Sequence, residues 1–164
     1  MVAIRKSFEE GHRRKFLVVV DDTPECEKAI LYAAKRAERT GGVAILLYVI
    51  APGDFQHWLG VEDIMRAEAR EEAETVLAKA ADRVRAVART EPETVIREGN
   101  RSDEIVELIE QDADIAILVL GAATGSEGPG PLVTSIAGKS AATFPIPVTI
   151  VPGDLDEASI VALA

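Results

Sequence analysis

Three uninterrupted apolar runs, Phe16–Asp21 (FLVVVD, closed by its acid), Val43–Ile50 (VAILLYVI) and Ile115–Leu120 (IAILVL), constrain this chain most. A half-exposed strand alternates apolar with polar positions. A run without polar interruption needs cover on both faces. Between the runs lie helix-period segments. Thr23 offers an N-cap hydroxyl, Pro24 suits a first helical position, and Glu25 and Glu27 favour the positive helix end. That helix is expected to about Arg39, with a stripe of Ala29, Ile30, Ala33, Ala34 and Ala37, until Gly41-Gly42 stops it. A long charged helix is expected from Val61 to Ala88, with apolar positions spaced by three and four. A short strand at Thr94–Arg97 follows, then a helix over Asp103–Glu110 capped by Ser102. A short helix at Thr134–Thr143 and a closing strand at Ile146–Val151 complete the pattern.

Strands alternating with helices predict one α/β domain: a five-stranded parallel doubly wound sheet, order 3-2-1-4-5, with helices on both faces and right-handed crossovers. Residues 1–15 read as a loose arm, 16–152 as the folded domain, and 153–164 as a tail without a clear partner. In such sheets ligands bind beyond the carboxyl ends of the strands, where strand order reverses. Asp21 and Gly121 would then face one cleft, beneath a Gly/Pro-rich loop.

Composition narrows the function. The net charge of −10 argues against nucleic-acid binding, which rests on basic surface. The one basic cluster, His12-Arg13-Arg14-Lys15, reads as a solvated lead-in to the first strand. No apolar run approaches the ~18 residues of a membrane span, and the first residues lack the apolar stretch of a signal peptide. A soluble cytoplasmic protein without membrane insertion is the expectation. The single Cys26 excludes an internal disulfide and a cysteine metal cluster. With only His12 and His57, histidine-based hydrolysis has little to work with.

The loop after Gly121 supplies the candidate chemistry. A strand ending in glycine, a flexible loop, and a helix start with Thr134-Ser135 suit an anion such as phosphate. Gly138-Lys139-Ser140 is a decoy for a P-loop: Val133 stands where that motif needs a glycine, and the residues fall within an expected helix.

Together these residues resemble the universal stress protein family. Val18–Thr23 (VVVDDT) is similar to its opening strand. Gly99–Val106 with Asp114–Gly121 is similar to the helix and strand before its nucleotide loop, and Pro145-Ile-Pro-Val148 to its closing Pro-x-Pro-Val. The resemblance covers about residues 16–152 and implies an adenine nucleotide, ATP or AMP, with Mg²⁺ if ATP. Many members bind ATP through Gly-x2-Gly-x9-Gly-[Ser/Thr]. This chain reads Gly121-x2-Thr124-x9-Thr134-Ser135, with threonine at the second and third glycines. Threonine is β-branched and costly at positive φ, so Gly125, Gly128 and Gly130 would have to carry a different loop path. By the resemblance, Val20, Asp21, Asp22, Thr23 and Val49 lie around adenine and ribose. Leu120, Gly121, Thr124, Gly125, Thr134, Ser135 and Ile136 would contact base and phosphates.

Four functions stay open at this stage. The leading one is a stress-response signalling module that binds a nucleotide, forms a homodimer through strand 146–151, and acts on a regulatory protein partner. A second is a nucleotide-free dimer working by protein contacts alone, with no cofactor. A third is a slow ATP hydrolase drawing on Asp21, Asp22 and Glu127. A fourth, a flavin-type carrier, has few rings to stack on, Trp58 among them.

Overall fold

The computed structural model describes residues 2–52 and 61–164; His57 and Trp58 lie outside them. Five strands form one parallel sheet: β1 (Lys15–Val19), β2 (Val43–Ile50), β3 (Glu93–Glu98), β4 (Ile115–Ala122) and β5 (Val148–Pro152). The order is β3-β2-β1-β4-β5, as expected. β1 is central: Leu17 pairs with Ile45 of β2 on one side and Leu118 of β4 on the other. Successive strands run outward from β1 to β3, then return across it to β4. The reversal therefore falls between β1 and β4, where the carboxyl ends diverge.

Period-two alternation sorts each strand between two cores. Phe16, Val18, Val20, Leu46 and Val119 face helices α1 (Pro24–Thr40) and α2 (Val61–Val87). Leu17, Val19, Ile45, Leu47, Leu118 and Leu120 face α3 (Arg101–Gln111) and a π-helix (Val133–Lys139). Both layers are needed because every residue of Phe16–Val20 is buried. Thr23 caps α1, its hydroxyl accepting from the Cys26 N–H, and Gly41 closes that helix at φ 69°. No helix among the described residues is long and apolar enough to cross a membrane.

Several sequence expectations need correction. Asn100, not Ser102, caps α3, its side chain accepting from the Asp103 N–H at 3.2 Å. Ser102 lies inside the helix, which starts at Arg101. The closing strand starts at Val148, two residues later than expected, because Pro145 and Pro147 lack the N–H that a ladder uses. The helix expected at Thr134–Thr143 begins upstream: residues 131–139 are helical, and the Ser140 N–H bonds Ser135 O at 3.0 Å in the wider π register.

Both flanking segments make contacts with the domain. The Arg5 guanidinium donates to the carbonyls of Ile109 (2.7 Å) and Asp112 (3.1 Å), satisfying the C-terminal end of α3. The Lys6 N–H bonds Ala113 O, and Ser7 is buried. The basic cluster is likewise paired. Lys15 bridges Asp112 (2.7 Å) and Glu93 (2.9 Å), His12 meets Asp114, and Arg14 lies over Phe16 and Phe8. The tail folds into helix α4 (Glu157–Leu163), capped by Asp156, with Ile160 fully buried against the α1 layer.

Candidate functional site

A cleft opens at the carboxyl edge between β1 and β4. Its walls are Val19, Asp21, Leu120 and Gly121 at the strand ends, Thr23, Glu25 and Cys26 from the start of α1, Arg101 from the start of α3, and residues 129–133. Three helix N-termini thus converge on one place. Each carries unsatisfied N–H groups and a partial positive charge, so the cleft suits an anion or an electron-rich ring system.

Asp21 sits where β1 gives way to α1. One carboxylate oxygen accepts from the Thr23 N–H at 3.0 Å and from the Thr23 hydroxyl, which itself accepts from the Cys26 N–H. This local turn fixes the strand-to-helix bend. Neither bond uses the second carboxylate oxygen, which stays available as an acceptor on this cleft-lining residue. Cys26 is buried beneath it. Burial pushes its thiol up to about 12, despite a hydrogen bond to its sulfur from the Asp21 N–H. It therefore packs as a small apolar group, not as a nucleophile.

Gly121, the penultimate residue of β4, lies against the first turn of α1. A Cβ there would lie 2.1 Å from Glu25 O and 2.6 Å from its carbon. Glycine is needed for this backbone contact, independently of any ligand.

The loop then takes a route set by other glycines. Among the described residues no non-glycine has positive φ; Gly128 (φ 95°) and Gly130 (φ 108°) do. Thr124 is thus spared the strained conformation. The loop closes on itself: the Ala123 N–H bonds Pro129 O at 3.0 Å and the Gly128 N–H bonds Gly125 O at 3.3 Å. It lays Pro129-Gly130-Pro131 across the cleft as a strap, leaving a cavity of about 50 Å³. On the far side of that strap is an open basin of about 830 Å³, lined by Gly125, Ser126, Glu127, Thr134, Ser135 and Lys139. Gly130 and Pro131 border both spaces.

The structure gathers the sequence-predicted residues in two groups. Asp21, Thr23, Leu120 and Gly121 line the cleft; Gly125, Thr134 and Ser135 line the basin. Val20 turns to the opposite core, and Val49 is buried in the layer under α3. Asp22 is exposed, and with Thr124 lines neither space. Ile136 borders a separate groove between α3 and the π-helix. Thr134 is not a helix cap, because its N–H already bonds Gly130 O at 3.0 Å. The carboxylates proposed for hydrolysis are dispersed: Asp21 in the cleft, Glu127 in the basin, Asp22 in neither. Among the described residues no three His, Cys, Asp or Glu side chains are grouped to hold a metal ion.

Sequence reasoning passed over Val19, Glu25, Arg101 and Lys139. Parity would have exchanged Val20 for Val19, since Val19 shares its face with Leu17 and with the α3 layer. Arg101 carried a usable signal too: it follows Gly99-Asn100 directly, and Asn is a strong N-cap.

A parallel doubly wound sheet with a loop-covered cleft at its reversal point defines a Rossmann-like α/β protein. The family model for universal stress proteins matches residues 12–152, and the chain belongs to that family. Among solved structures it is similar to universal stress protein UspA from Lactobacillus plantarum, at 17% identity and TM-score 0.69, over 84% of this chain and 97% of that one. It is also similar to the universal stress protein from Archaeoglobus fulgidus in complex with dAMP, at 20% identity and TM-score 0.58, over 92% and 98%. A third is a universal stress protein in complex with cAMP, at 20% identity and TM-score 0.63, over 86% and 98%. These likenesses concern the fold. A search of functionally curated proteins gives no match.

Proposed function

We propose that this chain is an adenine-nucleotide-binding module of the stress response, working in the cytoplasm and signalling by occupancy. The observation that carries the reading is the cleft at the β1–β4 reversal, where Asp21 presents a ribose acceptor beneath three converging helix N-termini. Two proteins of the same fold were solved with adenine nucleotides, dAMP and cAMP, which supports the same ligand class here. A cavity of about 50 Å³ is well below the ~300–1,000 Å³ of ordinary ligand sites. Entry therefore requires the Pro129–Pro131 strap to lift, joining the cleft to the basin. Positive-φ hinges at Gly128 and Gly130 suit that motion. Magnesium, if ATP is the ligand, would be held chiefly by phosphate oxygens.

The test is release of bound small molecules from freshly purified protein by acid denaturation, followed by mass spectrometry and titration calorimetry. Recovered adenine nucleotide, or a calorimetric Kd in the micromolar range, is the expected result. A protein that releases none and shows no heat with adenosine, AMP or ATP–Mg²⁺ would overturn the reading.

The partner surface follows from the sheet edge. β5 is the last strand of the sheet, and Ile150 on it is 38% exposed. An apolar edge invites pairing with a second copy. Ile150→Lys is expected to shift a dimer toward monomer in sedimentation velocity with an unchanged far-UV spectrum. An unshifted distribution would place the interface elsewhere.

A further inference from the structure

We propose that the groove between α3 and the π-helix is a docking site for a second copy of this chain, received through that copy's N-terminal arm. The proposal is independent of the nucleotide reading and uses residues other than the β5 edge. Asp103, Val106 and Glu110 are three and four residues apart on α3, so they share one helix face. With Val2, Ile136 and Phe144 they line an open groove of about 580 Å³. Its floor is apolar: Ile136 is buried, and Val106 and Phe144 are half-buried. Asp103 and Glu110 carry the only charges among the described residues that line it, and both are exposed. An apolar floor beside two carboxylates is complementary to apolar side chains attended by cations.

This chain displays such a segment. Residues 2–11 precede the family-matched stretch. They hold the two most exposed large apolar side chains among the described residues, Ile4 (90%) and Phe8 (86%). The arm that carries them is already fixed, by Arg5 on the α3 carbonyls and by buried Ser7, which keeps the ordering cost of docking low. Two cations attend them. Lys6 is exposed between them in sequence, and the Arg14 guanidinium lies 5.7 Å from the Phe8 ring centroid. Lys6 and Arg14, like Asp103 and Glu110, are in no ion pair among the described residues. Val2 joins arm to groove: it lines the groove and packs on the core beneath α3. Ile4 follows within ~7 Å along the chain. Arm and groove are therefore neighbours, and a two-fold axis beside them makes both contacts at once. Ile4 and Phe8 of each copy then cover the apolar floor of the other, with Lys6 and Arg14 set against Asp103 and Glu110.

The experiment is sedimentation velocity of the full chain over a wide concentration range, in wild type and in Ile150→Lys. The docked area is small, so this association is read at concentrations above those of the β5 test. Wild type is expected to pass from dimer to a larger assembly as concentration rises, and Ile150→Lys from monomer to dimer. Both steps should weaken with added salt. In the Ile150→Lys background, the arm variant Ile4→Glu/Phe8→Glu should weaken the step by about tenfold or more. Its far-UV spectrum should not change, because both side chains are exposed in the monomer. The groove variant Glu110→Lys should weaken the step likewise, and a lysine suits the last turn of α3. An equal mixture of the two variants should associate more tightly than either alone, since a mixed pair keeps one native arm-in-groove contact. Ile150→Lys that stays monomeric at every concentration overturns the proposal and leaves the β5 interface standing. Arm substitutions without effect, or a mixture no tighter than its components, also overturn it. Failure of the β5 interface alone would show as the same monomer-to-dimer step in wild type and Ile150→Lys, still lost in the arm variant.

Discussion

Gly121→Ala is expected to destabilise the protein by about 3 kcal/mol, and Gly121→Val to leave little folded protein. The methyl of alanine would stand 2.1 Å from Glu25 O, a backbone atom that no rotamer change can move. Relief requires α1 to withdraw from β4. That withdrawal would disturb a second close joint, because a Cβ on Gly153 would lie 2.4 Å from Ala122 O and 3.3 Å from the Glu25 side chain. The first turn of α1 is thus wedged between the ends of β4 and β5. The same turn carries Thr23 and Cys26, so the cleft wall moves with it.

The control is Gly125→Ala. Gly125 is the nearest loop glycine, has no positive φ, and its Cβ would meet nothing within 4 Å. Its expected effect is within about 0.5 kcal/mol. Urea denaturation of the two variants checks the contrast. A glycine kept only for phosphate approach would give the reverse pattern: Gly121→Ala stable as wild type and deficient in ligand alone. Near-equal midpoints for Gly121→Ala and wild type would refute the packing account.

Strand order was legible because its cause is local. Runs such as Phe16–Val20 leave no polar face to expose, and helices between them dictate parallel pairing. The acid after β1 and the glycine near the end of β4 marked the cleft by the same logic. What escaped the sequence depends on geometry that spacing does not encode. The Pro129–Pro131 segment reads as loop by composition, yet Pro131 is the first helical residue, where proline is well suited. Once the helix starts there, Thr134 moves from its expected cap into the helix body, and its N–H is consumed. A π register has no 3.6-residue signature to find. Arg101 was hidden by a misplaced cap: setting the cap at Ser102 put Arg101 outside the helix instead of at its first position. The pairing of the basic cluster was not legible because its partners, Asp112 and Asp114, lie about a hundred residues away.

The tail is the clearest case of structure without an obvious pattern, and it carries the second large effect. Ile160→Ala is expected to cost about 2–4 kcal/mol, and truncation after Gly153 more. Ile160 is fully buried in the layer formed by α1, though its helix is only 7 residues long. Such a helix has too few internal bonds to persist alone. Its fixation comes from α1: Lys28 donates to Leu155 O at 2.7 Å, Arg39 to Val161 O at 2.6 Å, and Arg36 to Ala164 O at 3.3 Å. These cations reach carbonyls of the tail, including those α4 leaves open at its end. The salt bridge from Arg83 of α2 to Glu157 adds a tie on the other side, though exposed pairs of this kind contribute little. The buried isoleucine should therefore dominate, and Arg83→Ala should change stability by less than about 1 kcal/mol. Thermal and urea melts of Ile160→Ala and Arg83→Ala decide it. Equal losses would mean that charge, not burial, holds the tail. No loss from Ile160→Ala would mean that the α1 face closes over the vacancy and the tail is dispensable. A large loss would make residues 153–164 part of the folding unit, joined through Gly153 to the β4 end and α1 turn that shape the cleft.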